Sequence, residues 1–146
     1  MNSIGVYRAL VSLHVAANVV WIGALLAVSL LLSRSAGASA DAGTKEAGVL
    51  ARVVHVRLAV PAFVTSFAAG SGVIALAPML YAKLPWFHAK LTLALIVIAV
   101  HHVIGSRAKR AAGGDRAAGR GAVVLGAVVF ACATGAVFLG VMKSLP

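Results

Sequence analysis

Acidic residues are nearly absent from this chain, which has three of them against thirteen basic residues in 146 positions. Charged residues of both signs make up only 11% of the sequence, whereas they are about a quarter of an ordinary soluble domain. The sequence is also 62% hydrophobic, and its mean hydropathy is +1.02. This composition excludes a soluble globular domain and indicates an integral membrane protein.

Two further scarcities limit the chemistry. The single cysteine, Cys132, excludes a disulfide or a thiolate metal cluster within one chain. The three acidic residues, Asp41, Glu46 and Asp115, all lie outside the long apolar stretches. A proton-coupled transporter with an intramembrane carboxylate relay is therefore disfavoured.

Four apolar stretches are each long enough for the roughly 20 residues that a helix needs to cross a bilayer. They cover about 9–32, 56–80, 86–106 and 121–142. We expect an all-α protein, a four-helix membrane bundle formed by one transmembrane domain over 1–146.

The basic residues predict how the bundle is oriented. Nine of the thirteen lie in two segments, 34–57 and 105–120, and the other four are Arg8, Lys83, Lys90 and Lys143. The positive-inside rule then predicts two cytoplasmic basic loops and both termini on the outer side of a bacterial inner membrane. The net charge of +10 is explained by these loops, which we expect to lie against anionic lipids rather than nucleic acid.

Polar residues follow helical faces in two of the stretches. At 100° per residue, one face of the first helix carries His14, Asn18, Trp21 and Leu25. Because lipid cannot satisfy an imidazole or an amide, this face is expected to point into the bundle. The third helix has two such faces, one with Trp86, Lys90, Val97 and His101 and the other with His88, Leu95 and His102.

The remaining two stretches carry small residues at four-residue spacing, which permits close helix approach. The ridges are Ala62, Ser66 and Gly70 in the second helix, and Ala127, Ala131 and Gly135 in the fourth. The fourth-helix ridge would also permit a homo-oligomer.

Imidazoles on an interior face of an apolar helical bundle are typical of b-type haem ligation. His14 is the best candidate, and the alternative is a histidine that only hydrogen-bonds to another helix. Copper binding by His14 and His88 is a second possibility. A third is two haems, with His14 and His88 near one membrane face and His55 with His101 or His102 near the other.

Two further residues have both a plain and a functional interpretation. His55 lies between Arg52 and Arg57 and is typical of a histidine at the membrane boundary. Lys90 either extends its ammonium to the interface or contacts the carboxylates of a tetrapyrrole, which are haem propionates or those of a substrate.

Two segments resemble a known family, the HemJ-type protoporphyrinogen IX oxidases. The first is LHVAANVVWIGAL, in which Trp21 follows His14 by seven residues. The second is WFHAKLTLALIVIAVH, which matches a Trp-x-His-x-Lys-Leu run closed by a histidine fifteen residues after the tryptophan. Its matching positions are Trp86, His88, Lys90, Leu91 and His101.

This resemblance implies a haem b protein that oxidises protoporphyrinogen IX to protoporphyrin IX and passes electrons to quinone. Carried over by position, His14 would bind the haem iron, and Lys90 would lie near the tetrapyrrole as a catalytic residue. Trp21, Trp86, His88 and His101 would complete the cofactor and substrate site, with Trp86 and His101 in catalytic roles.

A second resemblance leaves a non-catalytic alternative open. The segment LHVAANVVWIGALLAVSLLL is also similar to the opening of the membrane domain of CopD-type copper resistance proteins. The chain departs from the HemJ pattern at Val100, where a tyrosine is usual, and at GDRAAGRGAVV before the fourth helix. A copper- or haem-handling membrane protein therefore stands beside the oxidase.

Overall fold

The computed structural model describes residues 3–37 and 42–142, apart from the side chains at positions 42 and 80. Within these ranges the chain is helical without any strand. The helices are α1 Ser3–Ser35, α2 Ala42–Val54, α3 Val60–Leu76, α4 Pro78–Tyr81, α5 Pro85–Ala112 and α6 Ala122–Met142. A π-helical turn, His55–Ala59, joins α2 to α3, and a 3-10 turn, Arg116–Gly119, precedes α6.

Four helical segments are long and apolar enough to cross a membrane: Ser3–Ser35, Gly43–Leu76, Pro85–Ala112 and Arg116–Met142. The all-α, four-helix prediction is thus confirmed. The second helical segment begins at Ala42, well before the apolar stretch predicted from residue 56, and ends at Leu76 where Ala77 leaves the helical conformation. Lys143 lies outside the described residues.

The first helix is the centre of the bundle. In its most apolar window 39% of the residues are buried, against 17–22% in the other three membrane-length segments. It packs along α2, α3 and α6, and its inner face carries the fully buried Leu25, Val28 and Leu32. The other helices use one side for α1 and leave the opposite side to lipid, as the exposed Val64, Leu95 and Phe138 show.

The π turn lets the second segment continue through Pro61 as one helix. Proline has no N–H to donate and its ring crowds the carbonyl four residues earlier, which normally kinks or breaks a helix. Here the N–H of Val60 bonds the His55 carbonyl five residues back, so the backbone is already widened one residue before the proline. Buried Ala51, His55 and Ala59 consequently stay on one face although they are four residues apart.

Basic side chains organise one end of the bundle, which we call the basic end. Arg107 donates to the Arg120 carbonyl, and Arg116 donates to the Gly37 carbonyl across the loop from α1. Asp115 pairs with Arg110 at 2.6 Å and accepts from the N–H of Ala117, which starts the 3-10 turn. The hydrogen bond from Arg110 is the main cause that lowers the pKa of the Asp115 carboxyl below its ordinary value.

Packing of α2 against α5 predicts a strict requirement for glycine at position 48. A Cβ there would lie 2.6 Å from the Ala111 carbonyl oxygen, which is backbone and cannot give way. We expect Gly48→Ala to cost about 1–3 kcal/mol of stability through overpacking. Unfolding in increasing dodecyl sulfate, followed by circular dichroism, measures the loss.

The matched control for this substitution is Gly23→Ala in α1. A Cβ at position 23 meets nothing within 4 Å, and alanine favours helix over glycine by about 1 kcal/mol. Gly23→Ala should therefore be neutral or slightly stabilising. Equal stabilities for the two variants would contradict the α2–α5 packing described above.

Candidate functional site

His14 lies in a closed polar network between α1 and α3. Its Nδ1 is 2.8 Å from the Ser66 carbonyl oxygen, and its Nε2 is 3.0 Å from the side-chain nitrogen of Asn18 one turn along α1. The Ser66 hydroxyl donates to Asn18 Oδ1 at 2.9 Å and lies 3.3 Å from His14 Nδ1. Each polar group in the network has a partner, as a lipid environment requires.

The partners assign the protonation of the ring. A carbonyl can only accept, so Nδ1 of His14 carries the proton and donates it to Ser66. Nε2 then has a lone pair, which accepts from the Asn18 amide. The neutral ring is thus oriented by its Nδ1–H, and Nε2 is the atom with coordinating capacity.

The small-residue ridge of the second helix makes room for this ring. Ala62 and Ser66 are buried, and a Cβ at Gly70 would lie 2.9 Å from both Cε1 and Nδ1 of His14. The predicted ridge on α3 therefore packs where α1 carries its histidine. The fourth-helix ridge does not behave this way, because Ala127 and Ala131 are exposed while Gly126 meets Ser29 of α1.

A second polar connection joins α1 to α5. Trp21 Nε1 donates to His101 Nδ1 at 3.1 Å, and both side chains are buried. Trp21 therefore points into the bundle, as its face on α1 predicts. The bond also requires a lone pair on Nδ1 of His101, which makes that ring neutral with its proton on Nε2.

His55 is buried, which corrects its interpretation as a histidine at the membrane boundary. Only 5% of its surface is exposed, and its ring stacks on that of His101 with centroids 4.8 Å apart and planes inclined by 30°. Neither ring nitrogen makes a hydrogen bond with a described residue. A Cβ at Gly105 would lie 2.5 Å from His55 Cε1, so glycine at that position admits the ring.

Aromatic rings complete this second cluster. Phe63 lies 5.0 Å from His101, 5.1 Å from Trp21 and 6.2 Å from His102, measured between centroids. The His101 and His102 rings are 5.2 Å apart at 78°. Rings of α1, α3 and α5 thus meet at one level of the bundle. Phe63 was not singled out in the sequence, although it lies one helical turn before Phe67 in the same stretch.

The two predicted faces of the third helix have opposite environments. On the first, Val97 and His101 are buried, and Trp86 and Lys90 are half-buried. On the second, His88, Leu95 and His102 are exposed. His88 Nε2 donates to the Ala82 carbonyl oxygen, 2.9 Å away in the preceding turn, so His88 is tied to its own loop rather than to His14.

The helices α3 and α5 hardly approach each other. Their backbones make at most marginal contact, although each packs on α1. The two meet through rings, Phe63 against His101 and His102. Beyond these rings, Phe67 of α3 and Leu95 of α5 are exposed. We call the space between the two helices the α3–α5 opening.

The described residues offer no multi-ligand metal site. Within residues 3–37 and 42–142, no three His, Cys, Asp or Glu side chains come together in a way that could hold a metal ion. Comparison with protein-family models, with curated proteins and with solved structures finds no match for the chain.

The bond between Trp21 and His101 should be measurable as a coupling energy. Removing one partner with Trp21→Phe or His101→Leu leaves the other buried without a hydrogen bond. Interhelical hydrogen bonds in membrane proteins average about 0.6 kcal/mol and reach about 1.7 kcal/mol. A double-mutant cycle of unfolding free energies in mild detergent should give a coupling in that range.

The control cycle pairs Trp21→Phe with His102→Leu. His102 neighbours His101 in sequence but is exposed and has no hydrogen bond to Trp21. Its coupling to position 21 should be near zero. A coupling for His102 as large as that for His101 would contradict the assigned bond.

Proposed function

We propose that this protein is a haem b-binding membrane oxidoreductase that oxidises protoporphyrinogen IX to protoporphyrin IX and passes electrons to a membrane quinone. The observation that carries the proposal is the His14 imidazole, oriented inside a helical bundle by the Ser66 carbonyl. The substrate comes from the resemblance of the first and third helices to HemJ-type oxidases.

The surroundings of His14 fit an axial ligand of haem b. Metal-binding histidines almost always donate the other ring N–H to a carbonyl, carboxylate or water, which fixes tautomer and orientation. His14 Nδ1–H has such a partner, while Nε2 has only the side-chain amide of Asn18, which can rotate away. No second histidine belongs to this network, so the chain offers one imidazole here. When bound, haem b supplies a centre for one-electron transfer.

Lys90 is proposed to bind the carboxylates of the tetrapyrrole. It lies five residues after the start of α5, or about 8 Å along the helix axis, on the half-buried face with Trp86. A lysine near the end of a membrane helix can hold its ammonium at the interface, where it would meet the carboxylates of a bound tetrapyrrole. Trp86 one turn earlier would contact the macrocycle itself.

The α3–α5 opening supports entry of a flat, apolar macrocycle from lipid. Its inner limit is the ring cluster of Trp21, Phe63 and His101. In this arrangement Lys90 lies toward the open end and His101 at the inner end of the same face. The chain would hold the substrate, keep water away and present His101 as a proton acceptor or donor.

The proposed membrane is the bacterial inner membrane. The basic end would face the cytoplasm, where its arginines meet anionic lipid head groups, and both termini would lie outside. This orientation puts Lys90 and the wide part of the α3–α5 opening in the outer half of the bilayer.

Two alternatives remain from other classes. A CopD-type protein would use His14 for copper or haem without catalysis. A two-haem electron-transfer subunit would use His55 with His101 or His102 for its second haem. The rings of His55 and His101 are in direct contact, which disfavours that pair and leaves His55 with His102 for the second haem.

Haem content tests the assignment of His14. We expect purified protein to give a b-type reduced-minus-oxidised spectrum with about one haem and no copper per chain. His14→Ala should lose most of the haem, while His88→Ala should retain it, because His88 is exposed and bonded to its own turn. Copper without haem would move the protein to the CopD kind, and two haems would favour the electron-transfer subunit.

Substrate turnover tests the assignment of Lys90. Lys90→Met keeps the length of the side chain and removes its charge, so a carboxylate contact is lost while the helix is kept. We expect normal haem content. The kcat/KM for protoporphyrinogen IX should fall at least tenfold, which corresponds to a loss of about 1.4 kcal/mol of transition-state stabilisation. Lys83→Met, on the exposed loop before α5, is the control. Equal activity of both variants would rule out the contact.

A further inference from the structure

Three histidine rings form a continuous path through the wall of the bundle. His55 stacks on His101, and His101 contacts His102 edge to face. We call these three residues the imidazole chain. Its inner member, His55, is buried, whereas its outer member, His102, is exposed on the surface of α5. Neither haem binding at His14 nor carboxylate binding at Lys90 gives a role to His55 or His102.

The buried end of the chain has unused hydrogen-bonding capacity. Both nitrogens of His55 are inaccessible and make no hydrogen bond with a described residue. The backbone carbonyl of His101 approaches the ring as a weak acceptor, short of full hydrogen-bond geometry. Buried polar atoms in proteins are rarely left in this state, and a functional group or bound molecule is a usual reason.

The middle of the chain presents a donor. Because Trp21 donates to Nδ1 of His101, that ring carries its proton on Nε2. Among the described residues, Nδ1 is the only nitrogen of His101 that has a hydrogen bond. The cluster therefore offers N–H groups to a molecule that brings acceptor oxygens.

The exposed end decides what kind of molecule can arrive. His102 lies ten residues before the end of α5, about 15 Å along the helix, on a face that lipid covers in a membrane. Ionisable side chains are rare in such positions and usually functional. A molecule that reaches His102 is dissolved in the bilayer, and beside His102 it meets the aromatic face of Phe63.

We propose that the imidazole chain, together with Phe63, binds the head group of a membrane quinone. A quinone combines the required features. It is lipid-soluble, its ring is flat and about as large as an aromatic side chain, and its two carbonyl oxygens accept hydrogen bonds. The ring stacks on Phe63 and meets His102, whose ring is inclined at 81° to that of Phe63, at its edge, and a carbonyl oxygen accepts from imidazole N–H. This inference rests on the proposed function, in which quinone is the electron acceptor, and it locates the acceptor at the level of His101.

The location is chemically consistent with reduction. A quinone becomes a quinol by taking up two electrons and two protons. The electrons come from the tetrapyrrole substrate, which is oxidised in the α3–α5 opening. Each pair of electrons leaves the tetrapyrrole together with two protons, so the hydrogen lost by the substrate equals the hydrogen gained by the quinone. The neutral imidazoles hold the quinone by hydrogen bonds and keep their own protons. His101, bonded to Trp21, lies between the two sites.

Photoaffinity labelling tests the proposal without needing turnover. Purified protein in detergent is illuminated with an azido-benzoquinone of short alkyl tail, and the labelled residues are mapped by mass spectrometry. Labelling is expected within 53–67 and 97–107, and it should fall when excess unlabelled decyl-benzoquinone competes. His102→Leu should reduce labelling about tenfold, whereas His88→Leu, an exposed histidine on the same face of α5, should leave it unchanged.

A second substitution tests the same site in case His102→Leu fails to fold. Phe63→Leu keeps an apolar side chain and should also weaken labelling, because the stacking surface is lost. Four results would each reject the site. They are labelling near His88, labelling that decyl-benzoquinone does not displace, the absence of labelling, and equal labelling of His102→Leu and wild type.

Haem content and oxidase activity of the wild-type protein separate the inference from the proposed function. Retained labelling at the imidazole chain in a wild-type protein that has neither haem nor oxidase activity supports the quinone site while the oxidase assignment fails. Oxidase activity with the label elsewhere rejects the quinone site alone.

Discussion

The hydrogen bond from Trp21 to His101 is the interaction on which the interior of this bundle depends. Lipid offers no hydrogen-bond partner, so a buried indole N–H and a buried imidazole must find each other or another protein group. Their bond sets the rotation of α1 relative to α5 and fixes the tautomer of His101. With the ring held in this way, Phe63 packs on one side of it and His55 stacks on it. A histidine without that bond would have no fixed orientation for its neighbours to match.

The first helix makes a similar polar connection to α3. His14 lies seven residues before Trp21, so both side chains leave α1 on the same face and about 10 Å apart along its axis. One side chain connects to α3 through Ser66 and the other to α5 through His101. Because α3 and α5 hardly touch each other, α1 determines the distance between them. The α3–α5 opening is therefore a consequence of where two polar residues stand on a single helix.

The number of helices and the inner faces of α1 and α5 could be predicted because they depend only on apolar length and on 100° per residue. The burial of His55 could not, because the flanking Arg52 and Arg57 favoured a boundary position and the ring on which it stacks, that of His101, belongs to a different helix. The start of α2 was missed because the residues from Ala42 onward are small and polar. Ala127 and Ala131 illustrate a further limit. Small residues permit packing, but the facing helix decides that Gly126 is used instead.

The surroundings of His55 contain two features that a merely structural role does not require. A leucine or phenylalanine at position 55 would fill the same apolar site without leaving two nitrogens unbonded, which costs about 1–3 kcal/mol for each unsatisfied group. Gly105 inside α5 costs about 0.5–1 kcal/mol relative to alanine, and it is required because a Cβ there would lie 2.5 Å from the His55 ring. Both features accompany one imidazole placed against His101. Stability alone favours neither of them, and this is the argument for a binding role of the stacked imidazoles.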